Sequence, residues 1–512
     1  MSHAVPTPHP IRGDSRLRLP HDKGGIVDRV SVTLTAVALC TGLLLVGEAK
    51  ADTLRQALEK AYRTNPSLTA ARAGQRATDE GVPIAKAAAR PALSATADYQ
   101  EFVVRSANSF VSPFRAANAG VNLSMPVFQG GAVRNSIQAA DARVDAGREG
   151  LRATEADVFT AVVAAYVDVL RDDAIVDLNK GNVRVLEQNV QASRDRFEVG
   201  DLTRTDVAQS EARLATAQGQ LETALAQLDA SVENYLRFVG SPPENLQPPP
   251  PLPDFPATAD QAVDIAVAEN PQLLAGKAQS YAARYDVRVA AASRLPKVSL
   301  VANSNYNNYL GTLGSSVPGR LFSQAQRTAT LGISATIPLY QGGAPAARVR
   351  QAQALESQSL EQIVQIERGV VAQARAAFSR YLATQAVIKS AQVAVSANEL
   401  ALEGVRAENS VGNRTVLEVL NAEQELLNSR VQLVTARRDA YVAGFALRAA
   451  MGRAEAKDLG LFGGSLYDPT LDYSRVPNRA SNYGPRGVSS IEGEPESRPT
   501  NPQSGKSPRT DQ

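Results

Sequence analysis

The sequence predicts a mainly α chain with a smaller membrane-type β portion, internally duplicated. Three observations carry this fold class. Motifs recur in the same order at offsets of 205 and 212 residues. Long Ala-rich stretches carry apolar residues in heptads, the period of left-handed coiled-coil packing. Between them lie segments of about ten residues in which apolar and polar side chains alternate, the mark of a strand with one face of each kind.

Ala57-Leu58 with Asn65-Pro66 recurs as Ala262-Val263 with Asn270-Pro271, and Pro91 recurs as Pro296, both offset by 205. MPVFQGGAVRNSIQAA recurs as IPLYQGGAPAARVRQAQA, so Pro126 maps to Pro338 at an offset of 212. VGDLTRTDV (199–207) recurs as VGNRTVLEV (411–419) at the same offset. The seven extra residues of the second half fall between Pro296 and Pro338, where a surface loop tolerates them. The expected organisation is a leader at 1–51, a first repeat at 52–240, a Pro-rich linker at 241–257, a second repeat at 258–466 and a disordered tail at 467–512. Eight prolines in residues 241–256 make the linker stiff and extended.

The leader combines Arg12, Arg16, Arg18, Lys23 and Arg29, an apolar run from Val30 to Val46, and the small-x-small signal Ala49-Lys50-Ala51. This is a secretory signal peptide with maturation at Asp52. An uncleaved anchor is the weaker alternative, because the run is short for a span. His3, His9, His21 and the single cysteine, Cys40, all precede Asp52. The mature chain therefore has no His, Cys or Trp. That argues against an enzyme built on His or Cys, against zinc or copper sites, and against any cofactor held by such ligands. Leu39 before Cys40 is a poor match to a lipidation signal. Residues 1–51 hold six of the 54 basic and four of the 52 acidic residues, leaving 48 of each. A net charge of zero gives no footprint for nucleic acid.

Each repeated VG turn joins two long helical patterns. After the first, Val207, Leu214, Leu221, Leu228 and Tyr235 form the large seam, with Ser210, Ala217, Ala224 and Ser231 as the small one. After the second, Val419, Leu426 and Leu433 alternate with Ala422, Ser429 and Ala436. Gly200 and Gly412 suit the left-handed residue that ends a helix. Thr203 or Thr205, and Thr415, cap the next one. The incoming helices are expected near 132–199 and 344–411, each roughly 100 Å long at 1.5 Å per residue.

The strand segments precede these helices. Val121, Leu123, Met125 and Val127 alternate with polar residues, as do Leu331, Ile333, Ala335, Ile337 and Leu339. Their length fits a transmembrane barrel as well as an ordinary half-buried sheet. Phe128 and Tyr340 mark equivalent strand ends. The glycine pairs Gly130-Gly131 and Gly342-Gly343 form the strand-to-helix junctions. Four strands leave open edges, which lipid forbids, so a membrane barrel requires oligomerisation. Three chains would supply twelve strands.

The twofold repeat, the L-x-x-A-L…N-P openings, the P-[LV]-[FY]-Q-G-G junctions and SVGNRTVLEVLNAEQELLNSR together resemble the TolC family of outer-membrane channels, over roughly residues 52–463. The resemblance implies a homotrimer with a 12-stranded barrel in outer-membrane lipid and a 12-helix coiled-coil tunnel in the periplasm. It implies a periplasmic adaptor and an inner-membrane ABC or RND-type transporter as partners, with secreted proteins or small toxic compounds as cargo. It places the closed entrance at the hairpin tips. Asp206 and Arg414 match the family's gate link, and Glu418 matches an acid of its entrance constriction. Asn409 stands where the link Tyr can sit, and Asn421 where a second constriction acid can sit. From the residues alone, Asp206 also reads as an acid in a first helical turn, and Arg414 with Glu418 as an i,i+4 pair. The loops near 105–117 and 310–328 face outside on this reading.

Overall fold

The computed structural model describes residues 52–104, 113–253, 255–314, 322–461 and 466–470. The leader, Cys40, the three histidines and nearly all of the expected tail lie outside the described residues. The first repeat begins with three short helices, α1 (Leu54–Thr64), α2 (Pro66–Asp79) and α3 (Gly81–Ala87). Strands β1 (Ala92–Glu101) and β2 (Arg115–Phe128) follow, then the long α4 (Ala132–Glu198) and its return helix α5 (Arg204–Val239). The second repeat restates this as α6 (Ala259–Glu269), α7 (Pro271–Ala292), β3 (Lys297–Asn308), β4 (Ala325–Thr336), α8 (Ala344–Ser410) and α9 (Val416–Ala450).

The repeated Asn-Pro has a defined job. Asn65 ends α1 and caps α2, accepting at Oδ1 from Ser67 N at 2.9 Å and donating from Nδ2 to Phe238 O at 3.0 Å. Asn270 does the same between α6 and α7, with Gln272 N at 3.0 Å and Ala450 O at 3.0 Å. One side chain thus satisfies a helix start and ties the kink to the end of the return helix. Pro at the next position has no N–H to lose.

The four strands form one antiparallel sheet in the order β1-β2-β3-β4, with β1 and β4 as edges. Pairing puts Leu93, Leu123, Ala302 and Leu331 on one rung of one face, and Asn122, Asn303 and Thr330 on a rung of the other. The apolar face is bare in the single chain, with Leu331 75% and Ile333 76% exposed. β4 ends at Thr336, earlier than the alternation suggests. β3 begins at Lys297, directly after Pro296, so Ile337, Leu339 and Tyr340 find no strand partner among the described residues. Tyr340 therefore lies beyond β4, whereas Phe128 is the last residue of β2.

Gly131 and Gly343 take φ of 82° and 79°, turning β2 into α4 and β4 into α8. Gly130 and Gly342 also have positive φ, 62° and 58°. A Cβ at Gly130 would lie 2.7 Å from Leu295 Cβ, so only glycine fits there. α4 and α8 are each 67 residues long, about 100 Å.

The small seam of α5 is fully packed: Ser210, Ala217, Ala224 and Ser231 are all buried. The main core joins both repeats, with Leu58, Phe159, Tyr166 and Tyr235 packing with Phe445 and Ala454. The Pro-rich linker lies on this core without regular structure. Its carbonyls accept from Tyr166 Oη at Gln247 (2.6 Å), Tyr441 Oη at Pro250 (3.2 Å) and Arg448 Nη1 at Pro253 (2.9 Å). None of the described helices is long and apolar enough to cross a membrane.

Candidate functional site at the hairpin tips

The two tips share a backbone. Gly200 and Gly412 both have φ of 82°. Asp201 N bonds to Arg196 O and Asn413 N to Glu408 O, each at 2.9 Å, the helix-closing bond of the left-handed cap. Both return helices then start with a capping box. Thr203 is the N-cap of α5 and exchanges hydrogen bonds with Asp206; Thr415 is the N-cap of α9 and does so with Glu418. Thr205, read as an alternative cap, lies inside the first turn of α5 instead.

The equivalent acids therefore serve first as capping residues. Asp206 Oδ2 accepts from Thr203 Oγ1 at 2.7 Å and Thr203 N at 3.0 Å, and these bonds hold its carboxyl below the usual range. Glu418 Oε2 accepts from Thr415 N at 2.8 Å. That bond and the Arg414 guanidinium push its pKa down to about 2.

Arg414 is engaged within its own tip. It donates to Glu408 Oε2 at 2.6 Å and Glu418 Oε1 at 2.7 Å. Within the chain it forms no ion pair with Asp206. The i,i+4 pairing holds here, with Glu408 as a second partner. Asn409 braces the same turn by donating to Arg414 O at 2.7 Å. Asn421 accepts from Arg213 Nη2 at 2.7 Å, a contact between the two hairpins.

The contacts that fasten one hairpin to the other were not foreseen. Leu420 of α9 is buried against Val183 and Leu186 of α4 and Ala217 of α5. Three residues on, Glu423 is 6% exposed. It accepts from Asn189 Nδ2 of α4 at 2.9 Å and from Arg406 Nη2 of α8 at 2.9 Å. The signal was a stripe beside the heptad seam: Val416, Leu420, Glu423 and Leu427 follow helical spacing. A carboxylate in such a stripe must find donors. Further up, Arg438 of α9 grips Asp168 of α4 with Nε–Oδ1 at 2.8 Å.

A duplicated chain whose β-sheet bares an apolar face and whose hairpins end in matched closed turns defines a class of elongated outer-membrane channels. The comparisons agree. The chain belongs to the outer membrane efflux protein family, the TolC family, matching it over residues 57–241 and 262–453, one match per repeat. It is 35% identical over 447 residues to outer membrane efflux protein BepC of Brucella suis, covering 87% of this chain and 95% of that protein. Outer membrane protein TolC of Escherichia coli is 25% identical over 82% of this chain and 86% of its own length. The crystal structure of VceC from Vibrio cholerae shares the fold with a TM-score of 0.66 at 22% identity, covering 78% of this chain and 96% of that one. The chain is thus a channel protein of the outer membrane reaching into the periplasm, and not an enzyme.

Proposed function

We propose that three copies of the chain close one conduit, a twelve-stranded barrel continued by twelve helices, gated at the hairpin tips. The open sheet carries the proposal. The edge strands β1 and β4 each have one open side, which lipid does not tolerate until neighbouring copies close the barrel, and the exposed apolar face is one that lipid would cover. The exposed large residues along α8, Leu355, Leu382, Val393 and Leu400 among them, supply an apolar flank for the next copy.

The conduit works as a passive exit for cargo delivered by an inner-membrane transporter of the ABC or RND type through a periplasmic adaptor. Two relatives' names point to protein secretion and to efflux: alkaline protease secretion protein AprF of Pseudomonas aeruginosa and BepC. Opening separates the hairpins, and an adaptor drives it only by binding the open form more tightly. In the trimer Arg414 and Asp206 meet across neighbouring tips, with Glu418 contributing to the entrance constriction.

The test is conductance in planar bilayers of the purified mature protein and its Arg414→Ala variant. Low-conductance pores that widen in the variant are expected. Pores indifferent to the substitution would return Arg414 to bracing its own turn, and a protein that is monomeric and inserts nowhere would end the conduit reading.

A further inference from the structure

We infer that the outward face of the sheet carries a site for one phosphorylated, acylated glycolipid of the outer leaflet. This rests on the barrel reading above. The site is a furrow of about 310 Å³, lined by Val121 and Leu123 of β2, Ala302 and Ser304 of β3, and Ala329 and Leu331 of β4, with Asn303 and Thr330 of the intervening rung. Register explains it. Leu123, Ala302 and Leu331 share one rung, and Val121, Ser304 and Ala329 the next. β2 and β4 stand two strand spacings apart, about 9.6 Å. The small side chains of β3 between them leave a channel about one alkyl chain wide. Below, Leu300 with its rung partners Met125 and Ile333 closes it.

The head of the furrow carries one arginine, Arg327. The next rung toward the β3–β4 connection pairs Tyr306 with Arg327, on the same face. The guanidinium lies over the Tyr306 ring, 5.8 Å from its centroid. Among the described residues no carboxylate pairs with Arg327. Arg115 sits at the same outer end, at the start of β2, but faces Glu101 of β1 in register, so among the described residues the free cation there is Arg327. The other strand ends run into α4 and α8, so this end faces outward.

The combination selects the ligand. An alkyl channel alone would take any lipid, and an exposed arginine alone any anion. An arginine without a carboxylate partner among the described residues, directly above an alkyl channel and with a tyrosine at the boundary, fits a lipid whose phosphate lies close to its acyl chains. At the outer end of a barrel strand, that lipid is the phosphorylated glycolipid of the outer leaflet rather than a zwitterionic phospholipid.

The experiment titrates the full mature protein in detergent with hexa-acylated lipid A, and separately with phosphatidylcholine, and counts bound lipid by native mass spectrometry. Saturable binding of lipid A is expected, and phosphatidylcholine should bind at least about tenfold more weakly. Arg327→Gln should weaken lipid A binding about tenfold, the loss of one charge-assisted contact. Ala302→Leu, which fills the floor, should weaken it further. Inorganic phosphate should not compete. Equal affinity for the two lipids, or an Arg327→Gln variant that binds like wild type, overturns the inference. Arg327 is on the surface, so its variant decides the matter even if Ala302→Leu misfolds. Conductance of the same preparation separates the two readings: pores with variant-insensitive lipid binding remove only the lipid site, and selective binding without pores removes only the conduit.

Discussion

Truncating Glu423 to alanine should loosen the tips. In the structure its carboxylate takes Asn189 from α4 and Arg406 from α8, so one side chain of α9 reaches both neighbours. The Arg406 side chain is 51% exposed, so that contact is screened by water and contributes at most about 1 kcal/mol. The Asn189 bond is made to a buried charge and contributes about 1.5–3 kcal/mol. The Arg406 contact lies within the α8–α9 hairpin and is lost from fastened and separated states alike, so the Asn189 bond sets the effect. At 1.4 kcal/mol per tenfold, about 1.5–3 kcal/mol lowers the ratio of fastened to separated hairpins by roughly 10- to 150-fold. Residues 52–512 contain no cysteine, so in a protein of that span spin labels at Glu187→Cys on α4 and Glu425→Cys on α9 report the separation directly. The distance distribution should lengthen and broaden in Glu423→Ala, and equally in Asn189→Ala. The double variant should be little worse than either single one. Effects that add within about 0.5 kcal/mol would show that the two residues act independently, and the fastening would have to be sought elsewhere.

Three more outcomes follow from the same geometry. Glu155 of α4 is half-buried and accepts from Ala456 N at 2.5 Å, with desolvation first and then Glu455 and Asp458 raising its pKa to about 7 against Arg72. Its folded pKa exceeds the unfolded one, so its contribution is complete below about 4.5 and is lost as pH rises through about 7. Hydrogen exchange of residues 456–461, corrected for intrinsic rates, should therefore speed up between pH 6 and 8, and Glu155→Gln should abolish that change. Gly452→Ala should cost more than about 3 kcal/mol, because the new Cβ would lie 2.4 Å from Glu269 O at a φ of 78°. Gly412→Ala, with φ of 82° and nothing within 4 Å, should cost only about 1–2 kcal/mol, and thermal denaturation distinguishes the two. Leu331→Arg should reduce membrane assembly by about 2–4 kcal/mol, whereas Thr330→Arg, on the opposite face, should be tolerated; yield in the outer-membrane fraction reads the difference.

Much of the fold was legible because it is periodic and repeated. The repeated glycine junctions and VG turns bracket α4 and α8 within a residue of their ends, and the heptads mark the return helices α5 and α9. The β segments were legible in type but not in extent, since the end of β4 is set by where β3 starts. The site was legible in part. Asp206 and Glu418 stood out as equivalent acids, but a capping box, a gate link and a first-turn acid share one sequence signature. Thr205 looked as good a cap as Thr203, because one residue of phase decides it. Glu423 escaped notice because its meaning depends on Asn189, 234 residues earlier, which no local pattern connects to it.

The equal lengths of α4 and α8 carry a further consequence for how such a chain changes over generations. A deletion of one heptad in α4 alone would shorten one arm by about 10 Å and leave the capped turns at different heights. Loops absorb change freely, as the seven residues gained between Pro296 and Pro338 illustrate. The arms do not: each is a ruler that must be recut together with its duplicate. Indels in the long helices of related chains should therefore come in whole heptads and in matched pairs, keeping both reach and seam phase.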